Sequence, residues 1–110
     1  MRSFLLFGVL AAAISTGASA QSADGKVLYD EFCKKCHGVR GVPPGPMKKK
    51  FEKIATFDAP FMLKRSDDSV VKVLTKGSSD DMKTFKEKMK PDEMLVVAKY
   101  IRELATKPTP

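Results

Sequence analysis

The chain has 110 residues, 43% of them apolar, with two cysteines, one histidine, no tryptophan and a formal charge of +7. That length allows one domain. Two cysteines and one histidine leave no second Cys/His group, so the four-ligand zinc site of a structural metal module is excluded by count. The first residues read as an export leader. Arg2 is a short basic region, Phe4 to Ile14 is an apolar run, and Ala18-Ser19-Ala20 is an A-x-A cleavage site. The run is too short for a spanning helix, which needs about 20 residues. No cysteine stands near the cut to take a lipid anchor. Cleavage after Ala20 divides the chain into a leader (1–20) and a mature domain (21–110) with no transmembrane segment. Its expected address is the periplasm, and its charge after loss of Arg2 is +6.

The mature part begins with a helix. Ser22 and Asp24 are both good N-caps, and Val27, Leu28, Phe32 and Cys36 make a helical apolar stripe that Gly38 closes. Gly25 costs this helix stability, which points to a packing reason. "VRGVPPGPMKKKF" follows; its three prolines and two glycines predict a loop without regular structure. Phe51, Ile54, Phe57 and Phe61 recur at helical spacing and predict one or two short helices, with Asp58 and Pro60 marking a start. Ser66 caps a clearer helix whose first turn is acidic, whose apolar side is Val70, Val71, Val73 and Leu74, and whose end is Lys76-Gly77. "SSDD" is a polar loop leading to Met82. The closing helix runs from Pro91 to Thr106, with Met94, Val97, Ile101 and Leu104 as its stripe. Lys90 is a poor N-cap for it. No segment reads as a strand and no repeat is visible.

"CKKCH", Cys33 to His37, carries the chemistry. A Cys33–Cys36 disulfide would close a very short loop and add little stability to a small exported domain. A C-x-x-C redox pair belongs beside a βαβ pattern, which is absent. The remaining reading is covalent haem attachment. On a helical turn, positions i, i+3 and i+4 share one face. Both thiols can then add to the vinyl groups of one haem while the imidazole of His37 is aimed at the iron. A haem also fills a centre that a 90-residue chain fills poorly by itself.

At this point the chain resembles the class I mono-haem cytochromes c of the small bacterial type, from Ala23 to Leu104. "DGKVLYDEFCKKCHG" resembles the opening helix and haem site, "RSDDSVVKVLTKG" with "MKTF" the distal helix and ligand loop, and "PDEMLVVAKYIREL" the closing helix. The resemblance implies an all-α cytochrome c fold of three to five short helices wrapped around one haem c. It implies that Gly25 lets the closing helix cross very near, with Tyr100 at the crossing. It implies that a proline carbonyl, best matched by Pro46 with Pro44 as rival, accepts from His37 Nδ1.

It also implies a methionine as sixth ligand. Met47 lies too soon after His37, and Met62 and Met94 sit in apolar helical patterns. Met82 follows a flexible loop and opens a Met-x-x-Phe motif; Met89 is the rival. The family commonly has proline directly after the ligand, where this chain has Lys83.

With His37 and Met82 filling both axial positions, the expected function is one-electron transport, not enzymatic turnover. The alternative is a haem protein with an open or labile distal site for small ligands or peroxide, though no second histidine exists to serve such a pocket. Lys34, Lys35, Lys83, Lys86, Lys88 and Lys90 predict a basic collar that steers the chain to acidic patches on redox-partner proteins. Nucleic-acid binding has no motif to support it, and the expected carrier is a monomer.

Overall fold

The computed structural model describes Gly8 and residues 17–107. Apart from Gly8, the expected leader segment at 4–14 lies outside the described residues, as does the 108–110 tail. The described residues form six helices and no strand: α1 (Gly17–Phe32), α2 (Lys34–His37), α3 (Gly45–Lys50), α4 (Ala59–Leu63), α5 (Asp67–Lys76) and α6 (Pro91–Thr106). None of the described helices is long and apolar enough to cross a membrane. The fold is the expected all-α one, with six helices among the described residues where three to five short ones were expected.

Two differences produce the higher number. Cys33 interrupts the first helix, its φ of −120° falling outside the helical range, so the attachment motif sits on a separate turn, α2. The stretch predicted as an irregular loop contains α3, because Pro46 occupies the first turn of a helix, where its missing N–H costs nothing. α1 also starts at Gly17, upstream of Ser22 and Asp24. Ala18 and Ala20 are strong helix formers and extend it backwards.

α6 is the hub. It packs against α1, α5 and α4. Its crossing with α1 is set by Gly25, which is buried. A Cβ there would lie 2.8 Å from Tyr100 Cβ and 2.9 Å from the Val96 carbonyl oxygen, closer than real side chains come. One turn on, Tyr29 is completely buried and its ring lies 5.3 Å from that of Tyr100. Gly25 and Tyr29, spaced by four, form a ridge of α1 facing the core, and Cys33, just past its end, continues it, its N–H bonded to Tyr29 O at 2.8 Å. That ridge explains why Val27, expected on the apolar stripe, is 64% exposed: it points away from the Tyr29 side. In α5, Leu74 takes the core position and Val73 is left 40% exposed for the same reason.

The caps follow the sequence closely. Asp58 Oδ1 accepts from Phe61 N at 2.9 Å, and Ser66 Oγ accepts from Ser69 N at 3.1 Å. At α6 the weak N-cap Lys90 is compensated from inside the helix, where Glu93 Oε1 accepts from Lys90 N at 2.9 Å. Met89 and Met94, 3% and 2% exposed in one core cluster, flank this start in the N′ and N4 positions of a hydrophobic staple. Arg102 closes the other side. Its guanidinium donates to Asp67 Oδ1 at 2.8 Å and to the carbonyls of Met62 and Arg65, tying the α4–α5 junction to α6.

Candidate functional site

The C-x-x-C-H turn is α2, which follows α1 directly at Cys33 and is closed by a glycine. His37 N donates to Cys33 O at 2.9 Å and Gly38 N to Lys34 O at 2.8 Å, so the motif is one helical turn. Gly38 has φ +85°, and a side chain there would run into the Val42 carbonyl. Tyr29 Oη donates to the Gly38 carbonyl at 2.7 Å, binding the end of the turn to the core face of α1. Burial, first of all, pushes the Tyr29 phenol well above its ordinary value, so it stays a neutral donor.

His37 is 8% exposed. Its Nδ1 lies 3.1 Å from the Ala55 carbonyl, and its ring stacks on Phe57 at 4.6 Å. A carbonyl can only accept, so Nδ1 carries the proton and Nε2 keeps its lone pair. Burial lowers the affinity of the imidazole for a second proton, the Ala55 bond opposing this in part. The result is a neutral, oriented imidazole with one free donor atom, the form that ligates a metal.

The carbonyl on Nδ1 corrects one expectation. Pro46 was the predicted acceptor, but it is exposed in the first turn of α3, and Ala55 takes its place. The reason is local: once Gly45-Pro46 initiate a helix, the proline no longer lies along the His37 edge. The irregular segment after Phe51 returns the chain there instead, fixed by a 2.8 Å bond from Phe57 N to Gly41 O.

Both cysteines are free thiols; Cys33 is buried and Cys36 partly so. Burial, with a smaller contribution from Cys36, pushes the Cys33 thiol up to about 12. Reactive dithiols work the opposite way, with a depressed thiol. No group of three or more metal-binding His, Cys, Asp or Glu side chains exists among the described residues. The donor set therefore does not form a zinc site. It does suit haem c: two unpaired thiols and one neutral imidazole on a single turn, beside an apolar cluster containing Phe32, Phe57, Phe61, Met62, Leu74 and Phe85. An open hollow of about 590 Å³ behind the His37 turn, between Val39, Val42 and α6, is lined by none of these donors.

The distal candidates come from the segment between α5 and α6. Gly77, at φ +75°, turns the chain out of α5. Met82 O then accepts from Ser78 N at 3.0 Å, while Met82 N donates to Ser79 Oγ at 3.2 Å. Two bonds return the segment to the end of α5: Phe85 N to Leu74 O at 2.8 Å and Thr84 Oγ1 to Thr75 O at 2.5 Å. They satisfy carbonyls that the helix end leaves without partners. Met82 is half-buried against the core, and Phe85 meets Phe32 edge-on at 5.9 Å, which places the distal loop beside the end of α1. Met62, Met89 and Met94 are all core residues, and Met47 lies on α3.

The six collar lysines, Lys34, Lys35, Lys83, Lys86, Lys88 and Lys90, are all exposed, and Lys88 Nζ lies 5.7 Å from the Phe85 ring. Sequence reasoning did not single out Tyr29, Ala55, Thr84 or Arg102. Tyr29 had a signal, since it stands four residues after Gly25 and four before Cys33. Ala55 had none: the helical spacing of Phe51, Ile54 and Phe57 around it predicts a helix where the chain is irregular, and an irregular segment does not reveal which carbonyl it offers.

A helical chain that carries C-x-x-C-H on one capped turn, with an oriented imidazole beside an apolar core, belongs to the class of c-type haem proteins. The cytochrome c family model matches residues 22–105, and the chain is a member of the cytochrome c family. Among solved structures it is similar to the c-type cytochrome KustC0563, at 33% identity and a TM-score of 0.66, over 74% of this chain and 96% of that one. A single-residue mutant of the same protein matches at 32% identity and a TM-score of 0.65, over 74% and 98%. No curated protein sequence matches. Family membership implies a covalently bound haem c and a role in electron transport.

Proposed function

We propose that the mature chain, exported to the periplasm and cut after Ala20, is a one-electron carrier. Cys33 and Cys36 would hold one haem by thioether bonds, with His37 and Met82 as the axial ligands. The observation that carries this reading is the proximal turn: two free thiols and a neutral imidazole, whose Nδ1 is already engaged by Ala55, sit on one helical turn. The haem supplies the one-electron couple when bound.

The residues of the chain do the rest. Ala55 and Phe57 orient the His37 ring, and the carbonyl acceptor makes the imidazole a stronger electron donor. Gly38 and Tyr29 hold the turn in place. Met82 is favoured for the distal side because it stands on a loop that is bonded to α5 yet outside any helix, while Met89 is committed to the staple at the start of α6. The apolar side chains around the site exclude water and limit reorganisation when the charge of the site changes. The exposed lysines of Lys34-Lys35 and of the distal loop, brought together by the Phe32–Phe85 contact, support docking to acidic partners.

Two measurements on protein made in a host with c-type maturation test this reading. The intact mass should equal residues 21–110 plus one haem, and a redox titration should give one reversible one-electron wave. A mass equal to the bare chain, or an oxidised protein that binds small ligands as readily as an open site does, would overturn it.

A further inference from the structure

The distal loop is long and largely exposed, yet a single side-chain hydrogen bond joins it to the helix behind it. Thr84 Oγ1 donates to Thr75 O at 2.5 Å and accepts from Lys86 N at 3.1 Å. It thus reads both strands of the fold-back: the C-terminal turn of α5 on one side and the chain leaving Met82 on the other. The neighbouring bond, Phe85 N to Leu74 O at 2.8 Å, uses the backbone alone and survives most substitutions. On the other flank of Met82, the Gly77 turn leaves no room for a side chain: a Cβ there would meet Thr84 N at 2.8 Å and Met82 O at 3.0 Å. The hydroxyl of Thr84 is therefore the one side-chain hydrogen-bonding group that fixes the segment immediately after Met82 to α5, at the place where Lys83 follows the methionine.

We propose that Thr84 is a positioning residue for the distal ligand: its hydroxyl, bridging Thr75 O and Lys86 N, restrains the loop that presents the Met82 thioether and so sets how readily an outside ligand displaces it. This rests on the reading of Met82 as axial ligand. Because Thr84 is exposed, water can replace part of what the hydroxyl does, and the effect is moderate.

The test is imidazole binding to the oxidised holoprotein of wild type, Thr84→Val, Thr84→Ser and Met82→Ala, with thermal unfolding measured alongside. Valine keeps the shape and β-branching of threonine and removes only the hydroxyl. Thr84→Val should bind imidazole about fivefold more tightly than wild type, the scale of one lost hydrogen bond, and Thr84→Ser should return it to the wild-type value. Met82→Ala should bind far more tightly than either. Wild-type imidazole affinity in Thr84→Val, whatever its unfolding temperature, would overturn the positioning role while leaving Met82 in place. Met82→Ala binding no more tightly than wild type would instead show that Met82 is not the ligand, and the inference would fall with it.

Discussion

The two sides of the site are held by different means. The proximal turn is buried: Tyr29 is 0%, Cys33 8% and His37 8% exposed, and the ridge beneath them is locked by the α1–α6 crossing. The distal loop has Met82 half-buried and Thr84, Lys83 and Lys86 in solvent, and it is attached to α5 by a few hydrogen bonds. Packing is dense and unforgiving, whereas exposed hydrogen bonds are individually worth about 1 kcal/mol and compete with water. On the proposed ligation, the fixed side would keep the cofactor and the adjustable side would tune it.

That contrast orders the expected effects. Replacing Cys33 and Cys36 with alanine removes both attachment atoms, and intact mass should show no covalent haem at all. Gly25→Ala places a methyl group against Tyr100 Cβ and a backbone oxygen, neither of which can step aside. It should cost about 1–3 kcal/mol by denaturant titration. Tyr29→Phe removes the shorter of the two hydrogen bonds to the buried Gly38 carbonyl, leaving only the 3.3 Å one from Gly41 N, and should cost about 1 kcal/mol. Thr84→Val should cost less stability than Tyr29→Phe, because the carbonyl it frees can take water. If the two cost the same, the contrast between the sides is wrong. The smallest effect concerns neither side's packing. Lys83→Glu or Lys86→Glu should slow electron transfer to an acidic partner more than Lys107→Glu, with the difference shrinking as salt rises.

Much of this was legible in the sequence, for reasons that differ by region. Local signals survived intact: Asp58, Ser66, Gly77 and Pro91 mark helix ends because capping chemistry is decided within a few residues. That Cys33, Cys36 and His37 share one turn was legible because they lie within five residues. Gly25 and Tyr100 were anticipated at the helix crossing, and the 2.8 Å approach bears that out. The stripes of α1 and α5 hold at Leu28, Phe32, Val70, Val71 and Leu74 but include one exposed residue each, Val27 and Val73, since an apolar residue at the edge of a stripe does not say whether it faces the hub. The acceptor on His37 was missed for a deeper reason. The choice between Pro46 and Ala55 depends on whether 45–50 coils into a helix, against which the three prolines and two glycines of 39–51 argue in the sequence.

The most direct test of the two-sided site is the weak red absorbance of oxidised, sulfur-ligated haem, measured in Met82→Ala and Met89→Ala. Met82→Ala should lose the band, and Met89→Ala should keep it while losing stability through its core position. A band retained in Met82→Ala and lost in Met89→Ala would place the ligand in the staple of α6 and contradict the assignment of an adjustable distal loop.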